Sequence, residues 1–410
     1  MKKFFALLLS LAMVLALVAC GQKDPTPDTP DTPDDPQTKV EYKVAMITDY
    51  GDITDQSFNQ TTYEACKAFA EDNSIEFSYF KPAGDNTADR VAMIEKAVND
   101  GFNVIVMPGY AFGGAIVEAA PEFPDVKFIA LDVAAGDLLE TAVAKAGEAY
   151  DYTPENWDLN KYVDMSNVYC AVYQEELCGY MAGYAAVKLG YKNLGFLGGM
   201  SVPAVVRYGY GFVQGVDAAA ADLGLTDVKL NYIYGGQFFG DADITAVMDT
   251  WYQGGTEVVF ACGGGIYTSA VDAAKKVGAK VIGVDVDQAG VIANYAGVDG
   301  MTVTSAMKGL YPATYDTLTD VIVNGNWDKY VGKIETLGLV SGTDPEANYV
   351  QIPMGDGTQW SDSFTQDDYK AMVKDMFDGK ITVSNNTSSD VSAADFATVI
   401  TVDDQGSIKG

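Results

Sequence analysis

The feature that most constrains the fold is a regular alternation between short apolar runs and segments of helical periodicity, which begins near residue 41. The apolar runs are rich in β-branched residues and are apolar almost throughout. Strands of this kind are typical of parallel sheets whose two faces are both covered by helices. The pattern predicts ten buried strands, at residues 42–49, 75–80, 103–109, 127–132, 168–173, 193–199, 228–234, 257–262, 280–285 and 301–307.

The two halves of this pattern follow one plan. In each half, a strand that ends in Gly (Gly109 or Gly263) precedes a helix containing Ala-Ala and then a strand that ends in Asp (Asp132 or Asp285). Ten strands would make an unusually wide sheet, so we expect an α/β protein with two doubly wound lobes. Because ligands bind beyond the carboxyl ends of parallel strands, Asp132 and Asp285 should face one cleft from opposite sides.

The composition excludes several classes of function. The 410 residues include 57 Asp and Glu, 26 Lys and Arg and no His, which gives a formal net charge of −31. Phosphate backbones repel such a chain, so we expect no nucleic-acid partner, and imidazole chemistry is absent. Arg90 and Arg207 are the only arginines, too few to form a cluster that holds a phosphate. The Gly-rich runs 195–199 and 263–265 lack the spacing of cofactor-binding loops, so we expect no cofactor and no metal.

The N-terminal residues have the features of an exported lipoprotein. Two lysines precede an apolar run over residues 4–19 that is short for a membrane span, and the run ends in Leu-Val-Ala-Cys-Gly, which resembles a lipobox. We expect a signal peptide at 1–19, a lipidated, palmitate-bearing Cys20 and a Pro/Thr/Asp-rich tether over 20–40. The protein would then be extracytoplasmic and anchored by lipid to the bacterial cell membrane. An ordinary signal peptide with an incidental cysteine is the alternative.

The remaining cysteines show no metal-binding spacing. They are Cys66, Cys170, Cys178 and Cys262, and most of them lie in apolar runs. Buried free thiols are the favoured interpretation, and a disulfide between Cys170 and Cys178 is the alternative.

The loop after the first strand contains candidate ligand-binding residues. Asp49 ends the strand, and Ser57 with Gln60 three residues later is typical of a capping box. That cap would place Phe58 and Asn59 in the first helical turn, beside unpaired backbone N–H groups. An aromatic ring beside a side-chain amide suits recognition of a planar heterocycle. Alternatively, Phe58 is a hydrophobic staple that packs locally.

The two strand-end carboxylates, Asp132 and Asp285, suit a sugar as the second part of a ligand. Carboxylates only accept hydrogen bonds, so Asp132 and Asp285 on either side of a cleft suit the vicinal hydroxyls of a sugar. Lys308 follows the last predicted strand and would supply a donor. An Asp at a strand end is also a common turn-former or helix cap, which is the alternative for each residue taken singly.

Five motifs in chain order carry a family resemblance: Val44–Asp49, Asp55–Asn59, Gly195–Gly199, Arg207–Phe212 and Val281–Gln288. Together they resemble the basic membrane protein family, which comprises lipoprotein substrate-binding components of ABC transporters and is similar to purine nucleoside receptors. The resemblance covers about residues 41–383. It implies a type I periplasmic-binding fold, in which two α/β lobes joined by a three-strand hinge close on a nucleoside.

The resemblance also implies a set of ligand-binding residues: Asp49, Phe58, Asn59, Asp132, Tyr208, Gly263, Asp285 and Lys308. In this assignment Phe58 stacks on the base, and Asn59 and Asp132 contact the base edge. Asp285, Lys308 and the backbone near Gly263 hold the ribose, while Asp49 supports the wall of the first lobe. Tyr208 stands where relatives usually have Phe and is expected to form a second stacking face.

The expected domains are a first lobe of 41–170 plus about 304–330, a second lobe of 171–303 plus about 331–383, and a C-terminal extension of 384–410. The segment 136–167, with Tyr150, Tyr152 and Trp157, is longer than the family pattern leads us to expect. It is predicted to be a lid or a surface excursion.

The function implied is nucleoside binding for import, with purine nucleosides favoured and with no catalysis. The expected partners are the nucleoside, an ABC permease and an ATPase, and the protein is expected to be a monomer. The alternatives are a sugar or autoinducer-type binding protein of the same fold, a ligand sensor, and a nucleoside hydrolase. The hydrolase would hold Ca²⁺ through Asp49, Asp52 and Asp55, since clustered carboxylates suit that ion.

Overall fold

A computed structural model describes residues 41–409; the predicted signal peptide, Cys20 and the tether lie outside this range. Within it, the strands are β1 Lys43–Ile47, β2 Glu76–Phe80, β3 Val104–Pro108, β4 Lys127–Leu131, β5 Val168–Tyr173, β6 Asn193–Gly198, β7 Lys229–Tyr234, β8 Val258–Cys262, β9 Lys280–Asp285, β10 Thr302–Lys308, β11 Ile334–Leu337, β12 Val350–Gln351 and β13 Thr401–Ser407.

The α-helices of the same range alternate with these strands. They are α1 Phe58–Asn73, α2 Thr87–Asn99, α3 Gly113–Ala119, α4 Ala135–Lys145, α5 Leu159–Tyr162, α6 Glu175–Lys188, α7 Pro203–Asp222, α8 Ala242–Gln253, α9 Tyr267–Val277, α10 Ala289–Ala296, α11 Leu310–Leu318 and α12 Gln366–Phe377. None of the helices described is long and apolar enough to cross a membrane.

The strands form two sheets of matching order. The first sheet runs β11-β5-β4-β3-β1-β2, and the second runs β12-β10-β9-β8-β6-β7-β13. All neighbouring strands are parallel except the short β12, which is antiparallel to β10. Each of the ten predicted runs contains a strand, and β3 and β4 of the first sheet hold the places of β8 and β9 in the second. The predicted pair of doubly wound lobes is therefore confirmed.

The chain passes between the lobes three times. It leaves the first sheet after β5, leaves the second after β10, and returns from β11 to the second sheet at β12. After the first crossing, α6 packs along α7 of the second lobe, and after the second crossing α11 packs on α1 of the first lobe. The carboxyl ends of β4, β9 and β10 lie where the two lobes meet. The predicted site residues Asp132, Asp285 and Lys308 are at these strand ends.

The predicted lobe boundaries are wrong at three places. The boundary between 170 and 171 divides β5, which lies wholly in the first sheet. β10, which includes residues 304–308 of the predicted first lobe, lies in the second sheet, and β11 of the predicted second lobe pairs with β5 of the first. β11 carries no apolar run, because it is a half-exposed edge strand with Glu335 and Thr336 at its centre. Its sheet is determined by pairing with β5, for which its own sequence gives no signal.

The C-terminal extension belongs to the second lobe. β13 pairs with β7 and adds an edge strand to the second sheet. Upstream of β13, the buried carboxylate of Asp217 on α7 accepts hydrogen bonds from the backbone N–H groups of Thr398, Val399 and Ile400 at 2.8, 2.8 and 3.2 Å. These contacts fix the extension to the second lobe.

The segment 136–167 divides into a packed part and a surface part. α4 buries Leu138, Leu139, Ala142 and Val143 in the first lobe. The residues that follow form a surface cluster of aromatic rings, in which Tyr150 lies 5.2 Å from Tyr152 and 5.7 Å from Trp157 between ring centroids. Tyr152 is 73% exposed.

The four cysteines of the described residues are buried free thiols. The favoured interpretation of Cys66, Cys170, Cys178 and Cys262 is confirmed, and the alternative disulfide between Cys170 and Cys178 is not formed. Burial raises the pKa of each thiol, which keeps it protonated and unreactive.

Candidate ligand-binding cleft

A cavity of about 420 Å³ lies where the carboxyl ends of the two sheets face each other. The structure brings all of the predicted site residues to its wall: Asp49, Phe58, Asn59, Asp132, Tyr208, Gly263, Asp285 and Lys308. They come from loops and strand ends of both lobes, so the cavity exists only where the lobes meet.

The two strand-end carboxylates share an unusual backbone conformation. Asp132 follows β4 with φ of 58°, and Asp285 ends β9 with φ of 65°. Residues other than Gly rarely adopt the left-handed region, although Asp tolerates it better than most. A conformation of this kind costs about 1–3 kcal/mol and persists where surrounding contacts enforce it, often at functional sites. It turns both carboxylates out of the strand direction and toward the cavity wall.

Lys308, at the end of β10, joins carboxylates from both sides of the junction. Its side chain is buried, and its ammonium forms ion pairs with Asp132 of the first lobe, with Glu175 at 3.4 Å and with Asp285 at 3.8 Å. Arg207 on α7 adds a second cation, since its Nε donates to Glu175 Oε2 at 2.7 Å. One lysine therefore connects the first lobe, the start of α6 and the second lobe.

The network contains more carboxylates than cations. Burial raises the pKa of Asp132 to about 7, although Lys308 beside it opposes the shift. Burial and Glu175 likewise raise the pKa of Glu176 to about 7. Burial alone would lower the pKa of Lys308, but the carboxylates outweigh it and raise that pKa, so the ammonium stays protonated. Removal of Lys308 would leave these acids without their principal counter-charge.

Aromatic rings surround the same ammonium. Its nitrogen lies 4.7 Å from the ring centroid of Phe58, 5.4 Å from that of Tyr173 and 5.6 Å from that of Tyr208. A cation over an aromatic face is stabilised by the ring quadrupole, by about 2 kcal/mol when it is desolvated. Phe58 is thus held at the cavity by Lys308 as well as by its own helix.

The predicted capping box at the start of α1 is wrong. The side chain of Ser57 caps nothing; its hydroxyl donates instead to Asp285 Oδ2 across the cleft. Asp55 replaces it, accepting from the backbone N–H groups of Ser57 and Asn59 at 2.9 Å and of Gln60 at 3.1 Å. The turn before the helix brings this carboxylate over the first N–H groups, which frees Ser57 to bond the opposite lobe.

Asn59 and Asp49 form one wall of the cavity in the first lobe. Asp49 Oδ1 accepts from the backbone N–H groups of Tyr50 at 2.6 Å and Gly51 at 2.7 Å, and from Asn59 Nδ2 at 3.2 Å. Asp55 also accepts from Asn59 Nδ2, at 3.1 Å. Both donors of the amide are therefore directed toward carboxylates, which fixes the amide oxygen on the other side.

Two acceptors of this wall are left without partners. Asn59 Oδ1 and Asp132 Oδ1 are buried, and neither has a hydrogen-bond partner among the residues that the structure describes. Buried polar atoms in folded proteins are nearly always paired, and an unpaired one costs about 1–3 kcal/mol. A molecule in the cavity that offered N–H or O–H donors would remove this cost.

Tyr208 is not placed as the predicted second stacking face. Its side chain is only 2% exposed, its ring meets Phe260 edge-on at a centroid distance of 5.9 Å, and its hydroxyl donates to Asp285 Oδ1 at 3.3 Å. The hydroxyl that distinguishes Tyr from Phe here positions Asp285. Its ring is mostly covered by the protein itself.

The aromatic face of the second lobe comes from a loop that sequence reasoning missed. Phe238 and Phe239, in the turn after β7, both line the cavity. A side chain at Gly199 or Gly263 would clash with the Phe238 ring, since a Cβ there would lie 2.3 or 2.7 Å from a ring atom. The sequence Gly-Gly-Gln-Phe-Phe-Gly, which follows a predicted strand, could have indicated an aromatic loop at the cleft.

The lobes are also bonded directly to each other. Besides the bond from Ser57 to Asp285, the side-chain amide of Gln288 donates to the backbone oxygen of Gln56 at 3.1 Å. Together with the pair between Lys308 and Asp132, these bonds hold the lobes in a closed arrangement around the cavity.

The alternative calcium site has no basis in the described part of the chain. Asp52 pairs with Lys81 at 2.9 Å, whereas Asp49 and Asp55 accept from backbone N–H groups and from Asn59. Between residues 41 and 409, no group of three acidic or cysteine side chains is arranged to hold a metal ion.

Residues 42–343 match a protein family described as ABC transporter substrate-binding protein PnrA-like. The chain is 25% identical over 389 residues to the ABC transporter nucleoside-binding protein BmpA of Lactococcus lactis subsp. cremoris, with 92% of this chain and 96% of that protein covered. It is 26% identical over 322 residues to basic membrane protein B of Borreliella burgdorferi, with 76% and 83% covered.

Among solved structures, an ABC transporter system solute-binding protein from Aeropyrum pernix K1 is similar with a TM-score of 0.63 and 19% identity. The similarity covers 85% of this chain and 95% of that chain. At this identity it shows the fold alone, which is the two-lobe periplasmic-binding type.

Replacing Lys308 by Met should destabilise the protein by about 3–5 kcal/mol, because it leaves buried carboxylates uncompensated. The loss should be larger at pH 8 than at pH 5.5. A carboxyl whose pKa is raised on folding stabilises the folded state while it is protonated. This contribution is lost as the pH rises from about 4, the pKa in the unfolded chain, through about 7, the pKa of Asp132 in the folded protein. Above that pH the carboxylates are charged and need the counter-charge that the substitution removes. Urea unfolding at the two pH values measures the difference.

The matched control is Lys380→Met, which removes an exposed lysine paired with Asp375 and Asp378. It should change the free energy of unfolding little at either pH, because exposed pairs contribute about 0–1 kcal/mol. An equal loss for Lys308→Met at both pH values would contradict the buried-charge assignment.

Proposed function

Because the chain belongs to the PnrA-like family of ABC transporter substrate-binding proteins, we propose that it binds nucleosides, and purine nucleosides in particular, between its two lobes. The relative BmpA of Lactococcus lactis, which matches nearly the whole chain, is named a nucleoside-binding protein. The cavity of about 420 Å³ is within the range of small-molecule sites, roughly 300–1,000 Å³.

The observation that carries the proposal is the pair of unpartnered acceptors beside aromatic rings. Asn59 Oδ1 and Asp132 Oδ1 accept hydrogen bonds and cannot donate them while Asp132 is ionised. Each of the purine bases of inosine, guanosine and adenosine carries at least one N–H donor on its edge and a flat aromatic face. Phe58 and Phe238 offer matching faces from the two lobes. Base stacking on such a ring contributes about 1–3 kcal/mol.

The ribose is assigned to the second-lobe side of the cavity. Asp285 accepts one hydrogen bond on each oxygen, from Ser57 and, at 3.3 Å, from Tyr208, and because a carboxylate can accept about four it retains capacity for sugar hydroxyls. Lys308 is next to it and makes hydrogen bonds to Asp132 and Glu175, while its 3.8 Å distance from Asp285 is too long for a third, so one N–H can donate to a ribose oxygen. Glycine at position 263, with φ of 144°, lets the backbone approach the ligand closely.

The charge of the cavity disfavours nucleotides. The charged residues that line it are Asp49, Asp52, Asp55, Asp132, Asp285, Lys81 and Lys308. Among the described residues that line it there is no arginine, and Lys308 is already shared by three carboxylates. A phosphate would meet an excess of negative charge, so an unphosphorylated nucleoside is the favoured ligand.

Binding then acts through lobe closure. A ligand held by Asn59 and Asp132 of the first lobe and by Asp285 of the second stabilises the closed state, because it loses these contacts when the lobes separate. We propose that an ABC permease with its ATPase recognises this state and takes up the nucleoside unchanged. The protein is proposed to act as a monomer held to the outer face of the cell membrane by lipid on Cys20, with residues 20–40 as the tether.

Isothermal titration tests the ligand class. Purified protein with Cys20 replaced by Ala, to avoid lipid, should bind inosine, guanosine or adenosine with measurable heat. The corresponding 5′-monophosphates should bind at least about 10-fold more weakly, since an unpaired charge–charge contact costs more than 1.4 kcal/mol. Heat with ribose or galactose but with no nucleoside would contradict the proposal and favour a sugar-binding protein.

Two substitutions test which residues of the cavity bind the ribose and which bind the base. Asp285→Ala should abolish measurable nucleoside binding, because it removes the ribose acceptor. Asn59→Ala should weaken nucleosides by about 10-fold, the value of one or two hydrogen bonds, while leaving any sugar binding unchanged. Asp227→Asn, an exposed residue of the second lobe paired with Lys192, is the matched control. Unchanged nucleoside affinity in Asp285→Ala would overturn the ribose assignment.

A further inference from the structure

The C-terminal segment Thr401–Lys409 lies beyond residues 42–343, which match the family. We propose that it is a positioning element of the ligand cleft, because it holds the loop 235–241 that carries the second-lobe aromatic face. Lys409 is the residue through which it acts. The proposal rests on nucleoside binding for its functional consequence, but its structural part can be tested without a ligand.

The loop 235–241 is fixed to the second lobe at its two ends. The backbone N–H groups of Gly235 and Gly236 donate to Gly198 O at 2.7 Å and Gly199 O at 2.9 Å, and Asp241 N donates to Ser269 Oγ at 3.0 Å. On the side toward the cavity, the backbone oxygen of Phe238 accepts from Gly265 N at 2.9 Å. Phe239, which lines the cavity mouth, is 55% exposed. Between the fixed ends of the loop, the direction of the two aromatic rings depends on the contacts of residues 237–239.

The C-terminal segment provides that support. β13 brings the chain to the end of β7, where the backbone N–H of Ile408 donates to Tyr234 O at 2.8 Å. The next residue, Lys409, donates from Nζ to Gln237 Oε1 at 2.9 Å and forms an ion pair with Asp241. Gly236, with φ of 79°, lies so close that a Cβ would be 2.7 Å from Lys409 O.

A chain of hydrogen bonds leads from Lys409 to the aromatic residues. Gln237, fixed by Lys409, donates from Nε2 to the backbone oxygen of Phe239 at 2.9 Å and to Asp241 at 3.1 Å. The backbone on both sides of Phe238 is thereby tied to one ammonium. Loss of that ammonium leaves the backbone bonds of Gly235, Gly236 and Asp241 in place but frees the Gln237 side chain, so we expect the part of the loop that carries Phe238 and Phe239 to become less rigid.

The same contacts allow positioning to be separated from folding. Asp241 caps α8 through Oδ1, which accepts from Ile244 N at 3.0 Å, whereas Lys409 uses Oδ2. Substitution of Lys409 therefore leaves the helix cap in place. The pairing of β13 with β7 also remains, since it is made by backbone groups.

The first experiment is independent of ligand. Hydrogen exchange of the ligand-free protein should show faster exchange of amides in 235–241 for Lys409→Met than for wild type, with Lys409→Arg close to wild type. Lys380→Met, which removes an exposed lysine elsewhere near the C-terminus, should leave the loop unchanged. Unchanged exchange in Lys409→Met would overturn the positioning role, whatever the protein binds.

The second experiment is a double-mutant cycle on inosine affinity. Lys409→Met should weaken binding by about 2- to 30-fold, the range expected for coupling through a neighbouring element, and Lys409→Arg should restore it. In a Phe238→Ala background, Lys409→Met should have almost no further effect, because the ring it positions is gone. Fully additive losses, or no loss, would overturn the proposal. If wild type binds no nucleoside while the loop exchange responds, the proposed function fails and the positioning role stands.

Discussion

The closed arrangement of the two lobes depends on one buried ammonium. Lys308 is the cation that reaches Asp132 of the first lobe, Glu175 at the first crossing and Asp285 of the second lobe. Each of these acids is buried, and a buried carboxylate without a counter-charge is strongly unfavourable. The positions of β4, β9, β10 and α6 are therefore linked through a single side chain. The strained backbone at the two aspartates is held by the same contacts.

This network leaves two hydrogen-bond acceptors of the cleft without a partner. Several side-chain donors of the wall are already paired: the Asn59 amide with carboxylates, Lys308 with Asp132 and Glu175, and Ser57 with Asp285. The unsatisfied atoms are acceptors, at Asn59 and Asp132. A donor-rich, uncharged and flat molecule fits this pattern, whereas an anion does not. The acidic composition, which from sequence only excluded partners, has a specific consequence here because a few aspartates determine what the cavity lacks.

The sequence predicts the parts of this protein that depend on local pattern. Apolar periodicity locates the ten strands, and their repetition places Asp132 and Asp285 at equivalent strand ends. The capping box fails because the bond that removes Ser57 from its helix reaches Asp285, 228 residues away in the chain. Tyr208 is misassigned for a similar reason, since its hydroxyl bonds the same distant carboxylate. β11 and the C-terminal strand β13 have polar sequences that do not predict strands. They are strands because each pairs with the edge of a sheet, β11 with β5 and β13 with β7.

The central claim is that the cleft between the lobes holds a purine nucleoside with its base at Asn59 and Asp132. A crystal structure of the protein grown with inosine tests it most directly. We expect the base against the Phe58 ring, its N–H within hydrogen-bond distance of Asn59 Oδ1 or Asp132 Oδ1, and ribose hydroxyls at Asp285. Inosine bound in the opposite orientation, or outside the cleft with Asn59 Oδ1 and Asp132 Oδ1 still unpaired, would contradict the claim.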